Sequence, residues 1–236
     1  MRRSIPLFPL STVLFPGLIM PLHVFEPRYR QLVEDLVALP DDVVQQFGVI
    51  AIREGREVGA DGVRALHDVG CTALLREVEE LGDGRYDVVT VGAERFRVLS
   101  LDDSGPYLRA QVEVLDETPG ADDAELATLV QVVTRDFARY RAALQGAPAE
   151  LDDVASSGLE AEDDLAAAAT DPDVLSYAVA AAAILDVNDK QRLLAAPDVA
   201  SRLRVEHRLL RSERRLIRAL PSLPAIDLAA LPVGRN

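Results

Sequence analysis

The fold is decided by residues 5–30, which read IPLFPLSTVLFPGLIMPLHVFEPRYR. This stretch is almost entirely apolar, yet prolines interrupt it at positions 6, 9, 16, 21 and 27. An interior proline removes a helical hydrogen bond and clashes with the preceding turn, so this spacing excludes a continuous helix. It also excludes a membrane span, which needs about 20 apolar residues with few interruptions. The stretch therefore predicts short buried strands joined by proline turns, at the start of a β-rich domain.

Composition limits the class of protein. A chain of 236 residues that is 49% hydrophobic can bury a core in one large domain or two modest ones. Its net charge of −14 argues against a protein that holds nucleic acid by bulk charge. The single cysteine, Cys71, excludes an internal disulfide and is typical of a reducing compartment. Because Pro6 and Pro9 interrupt the first apolar segment, we expect no secretory signal and a cytoplasmic location.

Strand patterns dominate up to about residue 116. β-Branched residues alternate over 48–53 and 107–115, and Asp83-Gly84 predicts a hairpin turn. One helix is expected over 26–38, with Pro27 in its first turn. The pattern predicts six or seven strands. Gly17 and Gly92 are expected at turns, where the backbone can need a positive φ or a close approach. Seven apolar residues are expected to face inward: Phe15, Leu22, Phe25, Leu74, Val89, Val91 and Phe96.

A period near 3.6 replaces this pattern from about residue 122. It predicts a long helix to about residue 144, an apolar helix over 174–186, and two further helices. Asn188 or Asp189 could cap the third, and Asp198 or Ser201 the last, which runs to about Leu220. The fold class is therefore α+β. Its predicted parts are a β subdomain at 1–118, a helical subdomain at 119–222 with an acidic mobile loop at about 146–172, and a flexible tail at 223–236.

Charge is distributed unevenly along the helical part. Residues 116–173 hold 15 acidic and 3 basic residues, whereas residues 201–218 hold seven arginines and two glutamates. Two interpretations remain open, because charge runs are usually solvated faces. The two regions could merely offset each other, or the last helix could present a basic surface to an acidic partner. Candidates for that surface are Arg204, Arg208, Arg211 and Arg215.

Two segments carry a resemblance to a known family. They are PLFPLSTVLFPGLIMPLHVFEPRYRQLV (residues 6–33) and DVGCTALLREVEELGDGRYDVVTVGAERFRVL (residues 68–99). They resemble the N-terminal substrate-binding domain of the Lon protease family, closely over about 4–118 and more loosely over 122–220. The resemblance implies a PUA-like twisted β-barrel followed by a C-terminal helical bundle, in a stand-alone form. Residues 146–172 look like a local insertion.

The ATPase and peptidase signatures of full-length Lon enzymes are missing from this sequence. It has no G-x-x-x-x-G-K-[ST] loop, and its one lysine, Lys190, stands at a predicted helix start where we expect it to be solvated. The three histidines show no metal-binding spacing. The adjacent acids at 162–164 lack the spaced ligands of a calcium loop. We therefore expect no enzyme activity, no cofactor and no metal.

Three functions remain after these exclusions. The resemblance implies a module that binds exposed or unfolded polypeptide, or a protein partner, in an apolar groove. Candidate groove residues are Phe25, Tyr29, Phe47 and Tyr107. The alternative is a PUA-like RNA-binding protein that uses the arginine-rich helix, although the overall acidity disfavours nucleic acid. The third is an adaptor, and the sequence leaves open whether the chain is a monomer or a weak dimer.

Overall fold

The computed structural model describes residues 1–40, 42–55, 63–145 and 168–219. Up to residue 114, the described residues form a mixed sheet and one helix, α1. The strands and the helix are β1 Arg2–Leu10, β2 Ile19–Val24, α1 Pro27–Val37, β3 Gln46–Gly55, β4 Val63–Leu66, β5 Val69–Glu80, β6 Tyr86–Asp102 and β7 Arg109–Val114. The opening stretch thus forms two strands and a helix. Pro16 lies between the strands and Pro27 begins the helix, whereas Pro6, Pro9 and Pro21 lie within the strands.

Five strands of the sheet pair on both sides. β1 pairs parallel with β3 and antiparallel with β7. β3 continues to β5, β5 to β6, and β6 to β7, all antiparallel. These pairings return to β1 and form a closed circuit. β2 pairs with β6 and β4 with β3, each lying outside that circuit.

The predicted turns are formed where glycine is needed. Gly84 has φ of 77° in the β5–β6 turn, which confirms the hairpin, and Gly17 has φ of 79° before β2. Gly92 lies within β6 instead of at a turn. A Cβ atom there would lie 2.1 Å from the carbonyl oxygen of Phe15, so this glycine permits a close backbone approach.

The predicted core is correct in part. Phe15 and Phe96 are fully buried. The expectation for β6 is wrong by one residue, because Val88 and Thr90 face the core while Val89 and Val91 are only partly covered. Leu22 is half-buried and packs against the core as predicted, Leu74 is half-buried, and Phe25 is exposed. The sequence YDVVTV places valines on both faces of β6, so alternation alone cannot tell the inner face from the outer.

Four helices follow the sheet in the part of the chain that the structure describes. They are α2 Asp123–Gln145, α3 Pro172–Ala182, α4 Val187–Leu194 and α5 Val199–Ala219. Apolar residues of α2, α3 and α5 form a shared core. Asp186 caps α4 by accepting from the Asp189 amide, which corrects the expectation of Asn188 or Asp189. Asp198 accepts from the Ser201 amide at the start of α5, as predicted.

Most of the predicted acidic loop, 146–167, lies outside the described residues, as does the predicted tail. Among the residues that are described, no helix has the length and apolar character needed to cross a membrane.

A buried ion network joins the sheet to the helices. Glu117, in the link between β7 and α2, accepts from Arg95 of β6 and from Arg202 of α5, the latter at 2.9 Å. Arg202 also donates to Asp173 at 2.9 Å, and its guanidinium lies 3.8 Å from the ring centroid of Tyr177. Both arginines are fully buried, so this network fixes how α3 and α5 sit on β6.

Candidate functional site

One edge of β2 is free of strand pairing among the described residues. The amide of Gly92 donates to the carbonyl of Leu18 at 2.8 Å, and β2 then pairs with β6 in register from Ile19 opposite Val91. Hydrogen-bonded pairs alternate along an antiparallel ladder, so every second residue of β2 directs its backbone groups away from β6. Those residues are Ile19, Pro21 and His23. Pro21 therefore costs the ladder no hydrogen bond.

The first hollow is a cavity of about 200 Å³ between the end of β1, β2 and the start of α1. Among its lining residues are Phe8, Leu10, Leu22, Phe25 and Tyr29. The rings of Phe8 and Tyr29 stack with centroids 4.0 Å apart, which gives the hollow a rigid apolar wall. Sites for drug-sized ligands measure about 300–1,000 Å³, so this hollow is suited to one apolar side chain.

The second hollow lies on the outer face of the β2–β6–β5 sheet and encloses about 590 Å³. Two cross-strand rows line it. One row is Pro21, Val89 and Glu77, and the next is His23, Asp87 and Glu79. Nδ1 of His23 lies 2.6 Å from a carboxylate oxygen of Asp87. Within the described ranges, Glu77 and Glu79 form no ion pair.

The structure brings together two of the four residues predicted for the groove. Phe25, 48% exposed, stands at the rim of the first hollow, and Tyr29 contributes to its wall. Phe47 and Tyr107 are only 1% and 8% exposed, so the structure places these two side chains in the interior. Phe47 packs against Phe8 in the core, and the Tyr107 hydroxyl donates to Asp35 at 2.8 Å.

Sequence reasoning missed the residues that make β2 an accessible edge. Pro21 is the signal that could have identified it, because a proline inside a strand is tolerated mainly at a sheet edge. Glu77 and Glu79 of β5, which lie one strand beyond β6 from β2, could not be found in the same way. Their proximity depends on the β5–β6 register, which contains two irregular steps.

Some arginine side chains of the arginine-rich helix, α5, already bind acidic groups within the chain. Arg202 is fully buried, and Arg204 is paired with Glu125 of α2. Arg208, Arg211 and Arg215 are exposed on α5 and form no ion pair within the described residues. The basic surface proposed from the sequence is therefore reduced to these three exposed side chains.

The remaining nucleophilic groups are poorly placed for chemistry. Burial raises the pKa of the Cys71 thiol to about 12, which makes this side chain unreactive. Lys190 is half-buried, which corrects the expectation of a solvated side chain. Burial lowers its pKa, and its amine donates to the carbonyl of Ala181 at 3.3 Å. No group of three or more potential metal ligands occurs among the described residues.

Comparison with known proteins gives a consistent result. The family model for the ATP-dependent protease La (LON) substrate-binding domain matches residues 4–212. Lon protease 2 of Sorangium cellulosum is 35% identical over 207 residues, which are 86% of this chain and 24% of that protein. Lon protease of Escherichia coli K12 is 29% identical over 213 residues, 90% of this chain and 25% of that protein. This chain thus spans about a quarter of the length of these relatives.

Solved structures show the same fold. A Lon N-terminal domain protein from Xanthomonas campestris superposes with a TM-score of 0.56 at 25% identity, covering 89% of this chain and 98% of that one. The N-terminal domain of a Mycobacterium avium complex Lon protease gives 0.58 at 21% identity, with coverage of 90% and 98%. The mixed sheet followed by helices is therefore the fold of Lon N-terminal domains.

Proposed function

This chain belongs to the family of Lon substrate-binding domains, and we propose that it is a non-catalytic module that binds exposed apolar segments of polypeptides. The segment lies extended along the free edge of β2. One of its apolar side chains enters the first hollow.

The single observation that carries this proposal is the free edge of β2 beside an apolar hollow. An extended peptide can add a strand to such an edge, where main-chain hydrogen bonds supply affinity and side-chain pockets supply selectivity. Ile19, 70% exposed at the start of the edge, and Phe25, at its end, extend the apolar surface. The site therefore favours extended apolar chain, which folded proteins bury and unfolded proteins expose.

Two observations support a module without catalytic activity: the domain that is matched and the surroundings of Lys190. The matched family is that of the Lon substrate-binding domain, and the peptidase domain is not matched. A Ser-Lys dyad needs a serine in contact with the lysine. Among the described residues, the hydrogen-bond partner of the Lys190 amine is a backbone carbonyl.

The arrangement of strands and helices supports a more specific description of the fold. The closed circuit of β1, β3, β5, β6 and β7 is consistent with a PUA-like barrel, and the four helices after it with a helical bundle. The comparisons give no support to the alternative of RNA binding by the last helix, and the few exposed arginines of α5 are a weak electrostatic footprint on an acidic chain.

The test is fluorescence anisotropy with a labelled peptide taken from an apolar, normally buried strand of another protein. We expect Phe25→Ala to weaken binding about 5–30-fold, the effect of truncating an anchor residue worth about 1–2 kcal/mol. The matched control is Leu101→Ala, because Leu101 is 52% exposed near the end of β6 and lines neither hollow. Equal losses in both variants, or none in either, would contradict the proposed site.

A further inference from the structure

Pro21 leaves a gap in the middle of the free edge of β2. The residues whose backbone groups point away from β6 are Ile19, Pro21 and His23, and all three are exposed. Each has a carbonyl oxygen that can accept a hydrogen bond, but proline has no N–H to donate. The edge therefore presents three acceptors and two donors.

A strand from another polypeptide can form all but one of the main-chain hydrogen bonds along this edge. Its N–H groups donate to the carbonyls of Ile19, Pro21 and His23, and its own carbonyls accept from the amides of Ile19 and His23. Only the bond from residue 21 is missing. The count is the same for a parallel and an antiparallel strand, because the missing group belongs to β2 itself.

A second copy of β2 fits this edge less well. A twofold axis pairs the two strands antiparallel, and the register with the most overlap places the two copies of Pro21 opposite each other. Neither can donate, so two bonds are lost at the centre of the pair. A register shifted by two residues places Pro21 opposite Ile19 or His23, again loses two bonds and overlaps fewer residues.

We propose that Pro21 determines what the free edge binds: it disfavours pairing with a second copy and still admits an extended segment of another polypeptide. This inference rests on the proposed function and names the residue that keeps the edge open to such a segment. An unpaired strand edge is a template for pairing with any chain, including an identical one, and an edge proline weakens that template.

The position of Pro21 in β2 permits a clean test of this role. Its nitrogen points away from β6, and the bonds that hold β2 to β6 come from Met20, Leu22 and Val24. The carbonyl of Met20 also accepts from the hydroxyl of Thr90 at 2.9 Å. Replacing Pro21 therefore changes the free edge and leaves the pairing with β6 in place.

The test uses the full chain with Pro21→Ala, which supplies the missing N–H. We expect a labelled apolar peptide to bind about 2–10-fold more tightly, the effect of one added hydrogen bond, as measured by fluorescence anisotropy. Sedimentation without peptide should show stronger self-association than in the wild type. The matched control is Pro106→Ala, an exposed proline between β6 and β7 that lines neither hollow, and it should change neither property.

The amide that Pro21→Ala introduces provides a direct readout of main-chain pairing. It points away from β6, so its hydrogen should exchange quickly in the free variant and about tenfold or more slowly when peptide is bound. A gain in affinity without protection of this amide would show that the substitution acts through the conformation of β2, and would overturn the inference.

The inference requires both tighter peptide binding and stronger self-association. If Pro21→Ala shows only one of these changes, or neither, the inference is overturned, whereas the proposed function stands as long as the wild-type chain binds the peptide. If neither the wild type nor the variant binds the peptide, the proposed function fails and this inference fails with it.

Discussion

Glu206 is a buried carboxyl group without a hydrogen-bond partner among the described residues. Burial raises its pKa well above the ordinary value, and the positive charge of Arg202 only partly opposes this shift. Folding raises the pKa of this carboxyl, so the group contributes most to stability when it is protonated. That condition holds at pH values below the pKa that the group has in the unfolded chain. Stability is then lost as the pH rises through the folded-state pKa.

We therefore expect Glu206→Gln to stabilise the protein at pH 8, by about 1–3 kcal/mol, because the ionised form no longer has to be buried or neutralised. The gain should shrink toward pH 4.5. Urea unfolding at both pH values measures it, with the exposed Glu80→Gln as the control. A gain of the same size at both pH values would show that burial of the charge is not its cause.

At the scale of single elements, β2 combines a role in folding with a role in binding. The backbone groups of β2 that point toward β6 pair with that strand, and the backbone groups that point away from β6 pair with no described strand. We expect Ile19→Pro to leave the fold intact, since it removes an N–H that points away from β6, and to weaken peptide binding several-fold. Ile19→Ala keeps the N–H and is the matched control. If the two variants bind peptide equally well, main-chain pairing at this edge is not part of recognition.

The elements also show what could be predicted from the sequence. Prolines, the D-G turn and helical periodicity identified α1, the β5–β6 hairpin and the long helix α2, because each signal acts through local backbone geometry. Burial of Phe47 and Tyr107, and the inner face of β6, depend on strand order and register. Strand order and register are set by contacts distant in sequence, so the sequence alone could not show that these two side chains are buried.

At the scale of the whole molecule, the sheet and the helices are joined by charge as well as by apolar contact. Burial acts to raise the pKa of Glu117. Hydrogen bonds from Tyr177 and Arg202, together with the positive charges of Arg202 and Arg95, outweigh that effect, so the pKa is lowered and the ionised carboxylate is favoured. Gln191 of α4 adds a hydrogen bond of 2.8 Å to the carbonyl of Val69 on β5. We infer that the two parts unfold together.

Calorimetry of the wild-type chain should show one cooperative transition, with calorimetric and van't Hoff enthalpies in agreement. Glu117→Gln should destabilise the protein by about 3–5 kcal/mol, because it leaves two buried arginines without their shared carboxylate. Glu113→Gln, on β7 and without an ion pair among the described residues, is the control. Two transitions in the wild type would show that the network does not couple the sheet to the helices.

The central claim is that an extended polypeptide pairs with the free edge of β2. Residue-resolved amide hydrogen exchange, with and without a saturating apolar peptide, tests it most directly. The amides of Ile19 and His23 point away from β6 and should exchange quickly in the free protein. Bound peptide should slow them about tenfold or more, with little change at Leu22. Peptide binding that leaves Ile19 and His23 unprotected, or that protects α5 instead, would contradict the account.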